Sequence, residues 1–507
     1  MIDQHNSLAE KFLKKGFWLY LFSFIIAPIW YIIKIIISGE LTVSEVGILY
    51  GIISLITMIS AYNDLWMSES INYFVPKFIT EKKYDKVKTI LVYAFLAQII
   101  TWITIAALFF FWADWLAINY FKSEQASSVL KIFAFYFLGI NILQILLMFF
   151  ISIQNTFIQK LVELVRMIFS LLFIIIFVIF WYTAIVDFSY AWIIGLYIWV
   201  LFSIGIFYLK YFNQYFKNEK ILWEKTLFTE IFKYGLLVFM WAQVGVLLSQ
   251  IDMQMIIYIL WTTDAWYYTN YLSIIWIPFL IITPIFSLLF PVFSELHSKK
   301  EYDKISTIRE VFTNNFIIIW IFSNCFLFTF SIPITYVLFG EKFITSWFIL
   351  KWSVLFLVFN FLLQINFSLL SWIGRVKERL KILMYWLGFN ILTNILLINY
   401  FWVYWAALAT WIWWLFIWWL SEYLLKSKYK ISFFLKVIIR NILIFWWISL
   451  VLFLYFWNFS YFIQNFTRVE TLWILTWCIS IYIVIFIIIN YTLFKWFISE
   501  MKKLKRW

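Results

Sequence analysis

The sequence predicts an all-α polytopic membrane protein of about fourteen transmembrane helices, and three observations carry that expectation. Of 507 residues, 65% are hydrophobic and 13% charged, about half the charged share of roughly 25% usual in soluble domains. Apolar runs of about 20 residues, enough to cross a hydrocarbon core of about 30 Å as a helix, recur along the whole chain. Lysines and arginines gather between alternate runs, as they do on the cytoplasmic side of membrane proteins. This composition excludes a cytosolic enzyme, a disordered chain and a secreted disulfide scaffold. Cys325 and Cys478 both lie in apolar runs, and His5 and His297 are the only histidines, so neither a disulfide framework nor a metal site is expected.

The fourteen spans fall near 16–37, 44–76, 89–113, 127–153, 161–184, 188–209, 232–260, 265–292, 311–336, 346–372, 382–401, 404–424, 435–457 and 471–494. With the N-terminus inside and strict alternation, all but six of the 39 basic residues fall in inside segments. The exceptions are Lys34, Lys122, Lys131, Lys342, Lys351 and Arg468. The expectation is a multi-pass protein of the cytoplasmic membrane with both termini cytoplasmic. Its net charge of +13 is then mostly topogenic and favours anionic lipid headgroups. The basic residues are spread over eight inside segments, which argues against nucleic acid. The first span lacks a small-residue cleavage site and reads as a retained helix. The longest loops, near 114–126 outside and 210–231 inside, are too short to be domains.

An internal repeat organises the spans. Pro76-Lys77-Phe78 followed by Lys82-Lys83-Tyr84-Asp85-Lys86-Val87 corresponds to Pro291-Val292-Phe293 followed by Lys300-Glu301-Tyr302-Asp303-Lys304-Ile305. Leu130-Lys131 precedes Gln144 by the same interval as Leu350-Lys351 precedes Gln364. Gly16 and Gly47 match Gly235 and Trp266. Spans 1–6 therefore pair with spans 7–12. The even offset makes this a parallel repeat of two six-helix lobes, a common transporter plan. The expected divisions are 1–210 for the first lobe, 211–430 for the second, and 431–507 for two extra helices and a basic tail.

Glycine is scarce and tryptophan abundant, at 12 and 33 residues, where glycine alone usually takes about 7% of a chain. Trp112 and Trp115 suit the interfacial belt, whereas Trp241, Trp276, Trp411, Trp413 and Trp446 lie inside spans. Depleted glycine paired with excess tryptophan suggests UGA codons read as glycine by the organism and written here as tryptophan. Trp66, Trp266, Trp276, Trp402, Trp405 and Trp411 are the foremost candidates.

Three segments carry a family resemblance. Asn63-Asp64-Leu65-Trp66-Met67-Ser68-Glu69-Ser70, running to Phe74-Val75-Pro76-Lys77-Phe78, resembles the second-helix signature of bacterial polysaccharide flippases, where the position of Trp66 is typically glycine. Ser249-Gln250-Ile251-Asp252-Met253 resembles their seventh-helix pattern with its single Asp. Trp402-Val403-Tyr404-Trp405-Ala406-Ala407-Leu408-Ala409-Thr410 resembles the Gly-x-x-Gly-Ala-Ala-x-Ala-Thr opening of their twelfth helix. The family is the oligosaccharide-flippase branch of the multidrug/oligosaccharidyl-lipid/polysaccharide exporter (MOP) superfamily. The resemblance implies movement of polyprenyl-pyrophosphate-linked glycans from the inner to the outer leaflet, with no cofactor and no catalytic residue.

Ionisable and amide groups inside spans are the candidate substrate- or ion-binding residues, because each is costly in hydrocarbon. Asp252 and Lys351 lie at similar outer depth in spans 7 and 10; they could pair, or bind substrate or a coupling ion such as H+ or Na+. Lys34 and Lys131 hold corresponding outer positions, and with Lys351 would favour a pyrophosphate or an acidic sugar. Asp64 and Glu69 could gate the inner end of span 2. Asn141 with Gln144, and Asn360 with Gln364, share helix faces and either bond between helices or line a cavity. Pro278, Pro284 and Pro291 should bend span 8. No Walker A loop, dinucleotide fingerprint, HExxH or nucleophile elbow is present. The expected function is an alternating-access flippase for lipid-linked oligosaccharide used in cell-surface polysaccharide synthesis. The alternatives are a multidrug antiporter of the same superfamily, a peptidoglycan-precursor flippase, and, more remotely, a glycan polymerase or ligase.

Overall fold

Hydrocarbon offers no hydrogen-bond partner, so a chain crossing it must satisfy every backbone N–H and C=O internally. Helix does this within one segment, and among the described residues the chain is helical with no strand. The computed structural model describes residues 2–63, 67–153, 155–242, 244–279, 299–343, 346–429 and 466–504, with 293, 296, 297, 443 and 447.

The chain forms two compact units, Met1–Trp266 and Tyr267–Trp507. The first contains α1 (Ile2–Glu40), α2 (Val43–Asn63), α3 (Met67–Thr80), α4 (Tyr84–Asn119), α5 (Gln125–Ala134), α6 (Tyr136–Ser152), α7 (Thr156–Ile179), α8 (Ile185–Phe207), a π-helical stretch (Tyr208–Phe216), α9 (Lys225–Ala242) and α10 (Val244–Ile259). The division falls within α11 (Thr262–Ile275). The second unit continues with α12 (Tyr302–Thr329), α13 (Ser331–Phe339), α14 (Ser346–Ser353), α15 (Leu357–Trp372), α16 (Val376–Tyr429) and α17 (Arg468–Leu504). α9 and α10, which the repeat assigns to the second lobe, pack on α3 and α2 in the first unit. Ser70 in α3 donates a buried hydrogen bond to the Ile231 carbonyl of α9 at 3.0 Å.

Among the described residues, seven helices are long and apolar enough to cross a membrane, or up to ten if each bent pair is one span. The expected count of fourteen is not reproduced among the described residues, for identifiable reasons. The span expected at 435–457 lies almost wholly outside them, as do residues 280–292 of the span expected at 265–292, with Pro284 and Pro291. The span at 232–260 covers parts of α9 and α10, between which residue 243 lies outside the described residues. The spans at 382–401 and 404–424 are the two arms of α16, which fold back on each other at Trp402: Asn390 and Thr410 bond across them at 3.1 Å, whereas 54 residues in one straight helix would run about 80 Å. α16 is interrupted at Trp402, where φ is 58° and ψ −158°.

The repeat is visible in the backbone. Span 4 bends by 46° between Gln125–Ala134 and Gly139–Ser152, and span 10 by 60° between Ser346–Ser353 and Leu357–Ser371. Each break follows its lysine, Lys131 or Lys351, by a few residues. The corners before α4 and α12 also match. Lys82 and Lys300 both take left-handed φ, 58° and 59°. At each corner the next amide reaches back five residues, from Lys83 to Phe78 O (2.8 Å) and from Glu301 to Leu296 O (3.0 Å). These are Schellman-type closures of the preceding helices. The segment after α8 is fastened to α4: Lys88 donates to Phe216 O and Glu219 O at 3.0 and 2.7 Å, and Tyr93 to Leu222 O at 3.0 Å.

Close helix approach depends on missing side chains. A Cβ on Gly47 of α2 would overlap the Thr262 carbonyl at the start of α11, a backbone group with nowhere to go. Gly51, one turn on, faces Ile257 Cδ1, which a Cβ would meet at 2.7 Å. Small residues four apart let membrane helices touch backbone to backbone. Gly47→Ala should therefore lower stability by about 1–3 kcal/mol, the usual cost of overpacking. Gly205→Ala, where a Cβ meets nothing within 4 Å, should leave it unchanged or raise it. Thermal unfolding of both variants in one detergent checks this pair.

Candidate functional site

In the first unit, polar side chains concentrate where α2 meets α10. Ser54 donates to Gln250 Oε1 at 2.7 Å. Gln254 Nε2 donates to Ser54 Oγ at 2.9 Å and to the Gly51 carbonyl at 3.2 Å. Tyr120, just past α4, donates to Gln254 Oε1 at 2.8 Å. Ser44 and Thr262 hydroxyls lie 3.2 Å apart, and Lys122 covers the end of α10 by donating to Leu260 O at 2.7 Å. Asp252 is buried on the same helix. Apart from Asp252 and Lys122, these groups are neutral. The seam therefore orients and seals, by mutual amide and hydroxyl bonding, more readily than it attracts charge.

The lysines expected around one vestibule have separate partners. Lys34 is fully buried, with its Nζ 4.6, 4.9 and 4.8 Å from the rings of Trp30, Tyr50 and Trp266. Aromatic faces carry negative potential, so this box holds an ammonium, an interaction of about 2 kcal/mol when desolvated. Lys131 is half-exposed and forms an ion pair with Asp114 at 2.9 Å; Ser127 donates to the same carboxylate. Lys351, in the second unit, is buried with its Nζ 5.4 to 5.7 Å from Phe328, Trp347 and Trp352. Asp252 and Lys351 thus belong to different units.

Of the amide pairs, Asn141 is buried and Gln144 half-buried. Asn141 lines a small cavity with Phe95, Gln98, Ile99, Trp102, Ile142 and Ile145, with room for about one water. Gln98 is buried in α4, and neither amide atom has a hydrogen-bond partner among the described residues. Asn360 is buried and accepts from Gln364 Nε2 at 3.4 Å. Asp64 lies outside the described residues, as does the side chain of Glu69, whose backbone belongs to α3. No group of three or more potential metal ligands occurs among the described residues.

Sequence reasoning missed two clusters in the second unit. Arg309 in α12, 1% exposed, donates to Asn366 Oδ1 of α15 at 2.7 Å and forms an ion pair with Glu422 of α16. Asn366 Nδ2 donates to Ser421 Oγ at 2.8 Å. Three helices thus converge on one guanidinium. Arg309 counted only as an inside charge at a span's edge, and Glu422 sits 113 residues away, so nothing local linked them. In α16, Asn394 donates to Asn390 Oδ1 at 3.2 Å, and Asn390 to Thr410 Oγ1 at 3.1 Å. The i,i+4 asparagines in an apolar run were the signal that could have exposed this ladder.

Residues 12–297 match the family model described as polysaccharide biosynthesis protein. The chain belongs to that family. It is also 26% identical over 462 residues to an uncharacterised membrane protein of Methanocaldococcus jannaschii, covering 86% of this chain and 89% of that one. The fold of this family member is shared with solved transporters. The lipid II flippase MurJ, in an inward closed conformation, matches with a TM-score of 0.67 at 16% identity, over 94% of this chain and 99% of that one. An inward-facing multidrug resistance MATE transporter of the MOP superfamily matches at 0.63 and 13% identity, over 80% and 92%. A Vibrio cholerae MATE transporter matches at 0.60 and 13% identity, over 83% and 98%. This polysaccharide biosynthesis protein is a multi-pass membrane protein with the MurJ/MATE architecture.

Removing one member of a buried ion pair strands the other, at about 3–5 kcal/mol. Arg309→Met should cost close to that, and adding Glu422→Leu should recover much of it. Lys131→Met, which breaks a solvent-exposed pair, should change stability by less than about 1 kcal/mol. Thermal melts of the four proteins, wild type included, separate these cases.

Proposed function

We propose that this protein is an alternating-access flippase that moves polyprenyl-pyrophosphate-linked oligosaccharide across the cytoplasmic membrane for cell-surface polysaccharide synthesis. One combination carries the reading: a chain of the polysaccharide biosynthesis family has the fold of MurJ and MATE transporters. No described segment is long enough to form a separate catalytic domain. Polar groups such as Asp252, Asn360, Asn390 and Gln98 are buried within its helices. The two lobes of the internal repeat rock about a central cavity that holds the sugar-pyrophosphate head, while the polyprenyl tail stays in lipid. Both termini face the cytoplasm. The lysines of spans 1, 4 and 10, with Asp252 and the Asn/Gln pairs, supply the candidate contacts to the head or to a coupling H+ or Na+. Anionic lipid meets the basic inside loops. The mechanism needs no enzyme chemistry and no cofactor.

The match to nearly the full length of MurJ favours one second reading, a peptidoglycan-precursor substrate. Depleting the protein and extracting lipids by leaflet separates the readings. Accumulation of lipid-linked oligosaccharide on the inner leaflet is the expected result, and accumulation of peptidoglycan precursor would support the alternative. Unchanged lipid intermediates together with raised drug sensitivity would overturn both in favour of an antiporter. In the same assay Lys34→Met should lose transport while keeping its thermal stability within about 2 kcal/mol of wild type, the scale of its ring contacts.

A further inference from the structure

We propose that position 402 is a glycine hinge in the protein as its own cell makes it, Trp402 standing for a UGA codon read there as glycine. The backbone at this residue is the decisive observation. Its φ of 58° and ψ of −158° fall in a region that is essentially open to glycine alone, because a Cβ collides with the flanking peptide groups. Gly340, at φ 86° and ψ −179°, occupies the same region and is a glycine. A bulky indole at φ 58° would be held there only by its surroundings, yet Trp402 is only half-buried, with ring neighbours Tyr404 at 5.0 Å and Tyr267 at 6.3 Å. The break is also required by length, since α16 must turn once between its two spans.

Other tryptophans carry the same mark. Trp181 has φ 63° at the turn after α7, where Trp181 N bonds Val178 O at 3.1 Å and Tyr182 N bonds Phe177 O at 2.9 Å. A turn with the same bond pattern after α15 places Gly374 at φ 73°, with bonds from Gly374 N to Ser371 O and from Arg375 N to Leu370 O. Glycine is the usual residue there. Lys82, Lys122 and Lys300 show that this left-handed region accepts side chains, so the weight rests on position 402. Among the described residues, the indole N–H groups of Trp320, Trp386, Trp405, Trp411, Trp414 and Trp418 are buried with no hydrogen-bond partner, although buried indoles ordinarily find one. Four of these follow position 402 within the second half of α16. With 12 glycines against 33 tryptophans, one cause accounts for the backbone, the orphaned donors and the composition. The proposal is independent of what the protein transports.

The test is the mass of the peptide spanning position 402, taken from the full-length protein purified from its own cells. A mass lower than the tryptophan form by the Trp-to-Gly difference is expected; a tryptophan mass would overturn the proposal. A second measurement keeps the hinge itself falsifiable. In a host that reads the codon as tryptophan, Trp402→Gly should melt several degrees above both the tryptophan protein and Trp402→Ala. If Trp402→Ala gains as much as Trp402→Gly, the position rejects only bulk and the hinge is wrong.

Discussion

Everything in this molecule follows from the inability of hydrocarbon to hydrogen-bond. That constraint turns the chain into helices and makes each polar side chain inside them an exception that needs a partner. The exceptions meet it in three ways. Amides and hydroxyls bond one another across α2 and α10, from Ser54 to Gln250 and Gln254. Arg309 is neutralised by Glu422, and Lys34 is received by aromatic faces. Burial without such compensation costs several kcal/mol per group, so these side chains decide which helices are neighbours as firmly as the apolar contacts do.

Two kinds of contact therefore coexist. Apolar packing against lipid-like side chains is permissive, because a lipid tail is nearly as good a neighbour as leucine. Polar contacts and the tight approach at Gly47 are specific, since neither survives a small displacement. Among the described residues the densest polar contacts are the α2–α10 seam, the Arg309 hub and the asparagine ladder of α16.

Much of the fold was legible because it depends on local composition and period. Apolar length gave the spans. The shared Lys-x-Tyr-Asp-Lys corner announced the paired turns at Lys82 and Lys300, and the matching lysines marked the two bent helices. The count of spans was less legible only where the described residues run out, at 280–292 and across 435–457, whereas the break of α16 at Trp402 falls where apolar length placed it. Candidate site residues were legible only one at a time. Asn141 stood out in the sequence, but its cavity neighbour Gln98 lies on another helix. Arg309 and Glu422 looked like ordinary edge charges because their meaning is a distance in space. The lysines were read by charge alone, and the rings that box in Lys34 come from α1, α2 and α11, a three-way meeting that no spacing encodes.

Arg468 stands at the start of α17 and donates to the Val337 and Leu338 carbonyls at 2.8 and 3.2 Å, closing the end of α13. Those carbonyls belong to a segment made 130 residues earlier. At a synthesis rate of about 5–20 residues per second, they wait on the order of ten seconds for their donor. During that interval the end of α13 must be hydrated or sheltered by the insertion machinery. The end of α13 thus gains its side-chain donor only after the start of α17 has been made.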